Sequence, residues 1–313
     1  MPNHRLQRAR QSLLGLSLGD ALGSQFFVPA NRRHLASRTV PPGPWPWTDD
    51  TEMACSVYLT LAVHGTIDQD ALAASFARRH DFDRGYGPAT GRMLRLVREG
   101  GDWRSLASDL FGGSGSWGNG AAMRVAPVGA YFADDPAEAA RQAALSATVT
   151  HTHPDAVAGA IAIAVATAYA VSGQLSPGPF IDRVLDHVPP GKVRDGVTEA
   201  RRMLTVADPE TAAYFLGNGR QVAARDTVPF TIWSAACHLA DFEQAIWTTA
   251  AAGGDIDTTC AIVGGITAVG LRPDALPDTW LQAAEPLPEW TEPSLPDGHT
   301  ASGNHSKKAA DEA

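Results

Sequence analysis

Wherever this chain is apolar, its apolar residues recur at helical spacing, and no series of runs alternates as half-buried strands do. Phe242, Ala245, Ile246 and Ala250 fall at offsets 0, 3, 4 and 8 after Asp241. Trp103, Leu106, Leu110 and Phe111 share one helical face behind Asp102, a good N-cap residue. Alanine-rich segments near 5–23, 50–64, 69–80, 136–149, 155–172 and 257–269 are bounded by Asp, Ser, Thr, Pro or Gly, the residues that start and stop helices. The pattern predicts an all-α fold. No composition shift or internal repeat divides the chain, so a single compact multi-helix domain is expected over 1–285. From Pro286 the chain turns Pro-rich and then polar, and the segment 286–313 is predicted not to order itself.

The longest apolar run, Ala156 to Val171, is 16 residues and carries Gly159, Thr167 and Tyr169. A membrane span needs ~20 strongly apolar residues, so the run reads as a buried core helix. Arg5, Arg8 and Arg10 ahead of Ser12 to Leu18 imitate a signal peptide. Asp20 interrupts that stretch and no small-x-small cleavage site follows, so a cytoplasmic protein is expected. Its 25 Lys+Arg against 34 Asp+Glu give a net charge of −9, which argues against a general nucleic-acid or acidic-membrane binder. Cys55, Cys237 and Cys260 are odd in number and widely spaced, which fits neither a disulfide framework nor a thiolate zinc site.

Four segments could carry chemistry. Thr48-Asp49-Asp50-Thr51-Glu52 opens a helix after a proline-rich loop over 24–48. Capping explains one such oxygen side chain, yet three stand together. Gly253-Gly254-Asp255-Ile256-Asp257-Thr258 opens the late apolar helix. If the two helix starts meet in space, four carboxylates and two hydroxyls converge. Such a cluster requires cations, and oxygen-only ligands suit Mg²⁺ or Mn²⁺. Spacing alone does not decide whether they meet.

The run from Gly112 to Gly120 satisfies G-x-G-x-x-G but follows a predicted helix, so it is not a dinucleotide fingerprint. It can still offer backbone N–H groups to an anion, or be a plain turn. His151-Thr152-His153-Pro154-Asp155 imitates a zinc-hydrolase H-x-H-x-D. Without a third histidine beside it, the segment reads better as a cap for a helix beginning at Pro154, with one histidine facing a pocket. Trp103, Trp233, Trp247 and Trp280 fit helical faces and are expected in the core, with Cys260 packed as a small apolar residue.

In this order, the segments resemble the ADP-ribosylglycohydrolase family, which includes dinitrogenase-reductase-activating glycohydrolase and the ADP-ribosylarginine and ADP-ribosylserine hydrolases. The matching text is Gly19-Asp20-Ala21-Leu22-Gly23, Thr48-Asp49-Asp50-Thr51, Arg84-Gly85-Tyr86-Gly87, Gly118-Asn119-Gly120-Ala121-Ala122-Met123-Arg124, Thr150-His151 and Gly253 to Thr258. The resemblance implies a binuclear Mg²⁺ site, with Mn²⁺ as a substitute, in a central cleft. Thr48, Asp49 and Asp50 would bind metal from one side, and Asp255, Asp257 and Thr258 from the other. Arg84, Gly85, Tyr86 and Gly87, with Ser116, Trp117, Gly118, Asn119, Gly120, Met123 and His151, would bind ADP-ribose, Trp117 by stacking on adenine. The implied reaction is hydrolysis at ribose C1″ of an ADP-ribosylated protein, with Asp49, Asp50 or Asp255 as general base. Nucleic acid enters this reading only as a modified substrate, and no membrane is involved.

One position departs from the pattern. Serine-type hydrolases of the family carry glutamate eight residues after the first glycine of the Gly-Asp-Ala-x-Gly motif, and here that residue is Phe27. Phenylalanine neither binds metal nor relays a proton, and the family's ADP-ribosylarginine hydrolases also lack that glutamate, so the resemblance tilts the expected acceptor towards arginine. A different acceptor (serine or a nucleobase), or a catalytically weak ADP-ribose-binding or structural member, is the alternative.

Overall fold

The computed structural model describes residues 2–272 and 275–292. Ten helices of ten or more residues build it: α1 (Pro2–Ser24), α2 (Asp49–His64), α3 (Gln69–Arg79), α4 (Pro88–Arg98), α5 (Pro136–Thr148), α6 (Pro154–Ala170), α7 (Lys192–Arg202), α8 (Ala224–Cys237), α9 (Phe242–Ala251) and α10 (Ile256–Thr267). Shorter helical turns connect them, and the described residues hold no strand, only two isolated bridges, Trp45 with Ala284 and Gly118 with Ala223. No described helix is long and apolar enough to cross a membrane.

Two helices organise the core. The first is α6, buried on all sides because Ala160, Ala162, Ala164 and Ala166 let its neighbours approach while Ile163 and Val165 fill the space between them. The second is α1, which lies along α10. A Cβ at Gly19 would stand 2.1 Å from the Cys260 carbonyl oxygen, and one at Gly23 would stand 2.8 Å from Asp257 Cα. Only glycine permits that separation, so the Gly-Asp-Ala-x-Gly text is a helix-crossing device. It brings the start of α10 beside Asp20.

The expected alanine-rich helices are present within three residues of their predicted limits. Asp102 caps as expected, accepting from the Arg104 and Ser105 backbone N–H groups, and Asp241 also caps its helix, accepting from Gln244 N–H. One face is cut short. The helix behind Asp102 stops at Ser108, and Phe111 and Gly112 take left-handed backbone (φ 53° and 68°). Ser108, Asp109 and the glycine pair are weak helix formers, so the chain turns there and leaves Phe111 half exposed.

The boundary expected at residue 285 falls inside a docked segment. Trp47 Nε1 donates to the Pro286 carbonyl, the Arg79 guanidinium lies 4.4 Å from the Trp290 ring centroid, and Thr291 is buried. Two tryptophans offer enough surface to hold 286–292 down despite its prolines. Residues 293–313, the remainder of the expected tail, lie outside the described residues. Trp233, Trp247 and Trp280 are core residues, Trp103 packs against the core, and all three cysteines are free.

Candidate active site

The start of α2 is held by a residue from another helix. Asp20, fully buried in α1, accepts from Thr48 N (2.9 Å), Thr48 Oγ1 (2.8 Å), Thr51 N (3.1 Å) and Thr51 Oγ1 (2.6 Å). A buried carboxylate is tolerated only when so supplied with donors. Asp20 thereby fixes the orientation of Thr48, Asp49 and Asp50. Sequence reading treated it as an interruption of an apolar run, although a lone acid on a core helix is itself a signal. Thr48 caps α2 through Oγ1, which also lies 3.0 Å from Asp50 Oδ2. Its single proton serves either Asp20 or Asp50.

At the start of α10, Asp255 occupies the N-cap position but makes no capping bond with its side chain. Asp255 Oδ2 instead accepts from Asn119 Nδ2 at 2.8 Å, the amide that also reaches Thr227 Oγ1. Thr258 Oγ1 stands 3.5 Å from Asp50 Oδ2, so the two helix starts meet. Asp20, Asp50 and Asp257 each offer an oxygen within 4.8 Å of the others, and this is the cluster among the described residues able to hold a metal. It contains no histidine.

Burial and mutual repulsion govern this group. Desolvation first, and then the Asp20 charge, push Asp49 up to about 8. Asp50 is raised well above the usual range by burial and then by Asp20 and Asp257. Asp257 is raised likewise by burial and then by Asp255. Asp255 is raised by burial, with the Asn119 bond acting against it. Asp50 Oδ1 is buried with no hydrogen-bond donor. An all-oxygen donor set with an orphaned carboxylate oxygen and repelling charges fits a hard dication.

Above these carboxylates opens a cavity of about 440 Å³, ample for a small ligand. Asp49, Asp50, Asp255, Asp257 and Thr258 lie at one part of its wall, and Ser116 to Gly120, Met123 and His151 at another. Of the Arg84-Gly85-Tyr86-Gly87 loop, the two glycines line it. Arg84 and Tyr86 are not among the lining residues, and their polar ends are engaged elsewhere. The Arg84 guanidinium pairs with both oxygens of Glu285, donates to the Trp47 carbonyl and stacks on the Trp47 ring at 3.4 Å. Tyr86 Oη donates to Glu52 Oε2 at 2.7 Å. These side chains brace the loop and leave contact with the cavity to its glycines. The Asn119 amide, similarly, orients Asp255.

Trp117 is partly exposed at the rim, its ring 4.6 Å from Phe111 and 5.9 Å from His153. Phe111 and Val222 also line the cavity, both with left-handed backbone and neither expected at the site from the sequence. Nothing in the local text marks such turns when the residue is not glycine. His153 caps α6, its Nδ1 accepting from Asp155 N at 3.0 Å, while His151 faces the cavity. Burial, with the nearby Arg124 cation second, holds the His151 imidazole down to about 3, so it is neutral at ordinary pH. Cys260 is fully buried, and desolvation raises its thiol well above the usual range, consistent with a packing role.

Known proteins resemble this chain over most of its length. The chain is 29% identical to the ADP-ribosylhydrolase ARH3 of Xenopus tropicalis over 327 residues, covering 90% of this chain and 91% of that protein. It is 31% identical to the ADP-ribosylarginine hydrolase Tri1 of Pseudomonas putida (strain GB-1), over 48% of this chain and 43% of that protein. A solved structure described as an ADP-ribosylglycohydrolase-related protein complex shares the fold, with a TM-score of 0.62 at 24% identity over 90% of this chain and 94% of that one. The ADP-ribosylglycohydrolase family profile matches residues 1–305, nearly the whole length. The chain therefore belongs to the ADP-ribosylglycohydrolase family.

Proposed function

We propose that this protein is a Mg²⁺-dependent hydrolase that releases ADP-ribose from ADP-ribosyl-arginine on protein. What supports the reading is the convergence of two helix starts, bearing Asp49, Asp50, Asp255 and Asp257, beneath a cavity walled by a glycine-rich loop. Thr48, Asp49, Asp50, Asp255, Asp257 and Thr258 would hold two dications, Mg²⁺ or Mn²⁺. When bound, these would orient the distal ribose hydroxyls and bring the pKa of a water close to neutrality. Asp49, Asp50 and Asp255 are the proposed acceptors of the proton lost by the water that attacks C1″. Gly118 and Gly120 leave room for the diphosphate, and Trp117 with Phe111 offers an aromatic face to adenine.

What supports arginine as the acceptor is the make-up of the site. Phe27 is half exposed, and the carboxylates lining the cavity among the described residues are all aspartates. A serine alkoxide needs a proton donor to leave, whereas a guanidine departs readily once protonated. Partial similarity to a protein named for arginine hydrolysis points the same way.

The test is release of ADP-ribose from defined ADP-ribosyl-arginine and ADP-ribosyl-serine peptides, each with Mg²⁺ and with EDTA. Cleavage of the arginine peptide with Mg²⁺ alone is expected. Cleavage of the serine peptide instead would overturn the acceptor, and cleavage in EDTA would overturn the metal. ADP-ribose binding without cleavage of either would point to a different acceptor or to a binding protein.

A further inference from the structure

Arg124 is wholly buried, yet no carboxylate lies within ion-pairing distance of it among the described residues. Its guanidinium donates to the Gly120 carbonyl (3.2 Å), Thr150 Oγ1 (2.9 Å) and the Ser146 carbonyl (2.7 Å), while Nε has no partner. Burial lowers its pKa to about 9, which leaves it charged at neutral pH. A buried cation without a counter-ion is costly, so a packing role alone does not account for it. Leucine or methionine would fill the volume without that cost.

The hydrogen bonds form a chain that ends in the cavity. Guanidinium groups only donate, so Thr150 Oγ1 is the acceptor towards Arg124. Thr150 Oγ1 also lies 2.7 Å from His151 Nδ1. Thr150 is buried, and its hydroxyl has no other acceptor within reach among the bonds seen. If His151 Nδ1 carried the proton, the hydroxyl proton would be left unsatisfied in the interior. Counting donors therefore puts the hydroxyl proton towards Nδ1 and the ring proton on Nε2. That atom borders the glycine loop. A Cβ at Gly120 would lie 3.0 Å from His151 Nε2, and one at Gly118 would lie 3.2 Å from it. The glycines thus keep the N–H edge uncovered towards the cavity.

We infer that Arg124 and Thr150 are positioning residues that lock His151 as the neutral Nε2–H tautomer, so that the cavity presents a donor to an anionic oxygen of the substrate's diphosphate. This rests on the ADP-ribose reading above. The opposite tautomer would turn a lone pair towards the same oxygen and repel it. Arg124 also adds positive potential near the anion without contacting it. The motif residues Gly118, Gly120, Arg124, Thr150 and His151 then act as one unit, although they come from separate stretches of the chain.

The test is ¹⁵N nuclear magnetic resonance of the histidine rings in the folded protein, paired with calorimetric titration of ADP-ribose. The wild type is expected to show a neutral His151 ring protonated at Nε2. Thr150→Val keeps the shape and removes the hydroxyl. It should populate the Nδ1–H ring and weaken ADP-ribose about tenfold, the worth of one hydrogen bond. Thr150→Ser should restore both readings, which a role in packing alone would not predict. Arg124→Met removes the donor that turns the Thr150 proton away and leaves the Gly120 and Ser146 carbonyls without it, so that proton gains acceptors besides Nδ1 and the ring should shift the same way. A wild-type ring protonated at Nδ1, a charged ring at neutral pH, or an unchanged ring in Thr150→Val would each overturn the inference. An Nε2–H ring in a protein that binds no ADP-ribose would support the tautomer lock while removing the proposed ligand.

Discussion

Asp20 illustrates how much one residue can decide when it is buried. Its carboxylate takes four donors from the two threonines of Thr48-Asp49-Asp50-Thr51, so the loop end that carries the outer acids has no freedom to rotate. Asp20→Asn keeps the size but turns an N–H₂ group towards donors. We expect a loss of about 2 kcal/mol in stability from the mismatched bonds. Mg²⁺ affinity should fall about 10- to 100-fold, because Asp20 both orders the ligating loop and belongs to the acidic cluster. Urea unfolding and calorimetric Mg²⁺ titration check the two parts, and an unchanged metal affinity would show that Asp20 anchors the fold alone. At this scale the sequence was only partly readable. Asp49, Asp50, Asp255 and Asp257 announced themselves as redundant oxygen side chains at helix starts. Arg84 and Tyr86 carried the same motif signal but are spent on Glu285 and Glu52, partners remote in the chain.

The pair α1 and α10 carries the site as an element. Helices rarely pack with backbones this close, and Gly19 against the Cys260 carbonyl makes it possible here. Gly19→Ala brings two opposed effects. Alanine favours the helix by about 1 kcal/mol. Its methyl, however, would sit 2.1 Å from a backbone oxygen that cannot rotate away, which costs about 1–3 kcal/mol or more as the helices part. The clash wins, and the net expectation is destabilisation with weakened Mg²⁺ binding, because Asp257 moves with its helix. A folded Gly19→Ala protein with wild-type melting and metal titration would refute this view of the crossing. Periodicity revealed that both helices exist, since the 3.6-residue repeat is local. That they cross at glycines was beyond periodicity, because the partner lies some 240 residues away by sequence number.

For the molecule as a whole, the buried acids link stability to pH and metal. Without metal, the folded state keeps protons on Asp49 up to about 8, whereas an unfolded chain releases them near the ordinary aspartate value of 3.8. The folded form then binds more protons between those limits, so its stability falls as pH rises. His151 has the opposite slope, since the folded state holds it down to about 3 from 6.5, and its contribution is lost as pH drops below 6.5. A comparison above that value isolates the acids. In EDTA, the protein should melt about 5 °C or more lower at pH ~8 than at pH ~6.5, and Mg²⁺ should narrow or reverse that gap by favouring the ionised acids. Equal melting in EDTA at both pH values would mean that the cluster ionises freely. The sequence by itself determined the helical class, the places where helices begin, and a set of oxygen ligands with an ordered family pattern, because caps, periodicity and motifs are written within a few residues of one another. The tertiary structure alone decided which acids meet, which motif side chains brace loops instead of facing the cavity, and how a buried arginine sets a histidine's proton. Those are through-space relations between distant segments, fixed by close packing and by the need to satisfy every buried polar group.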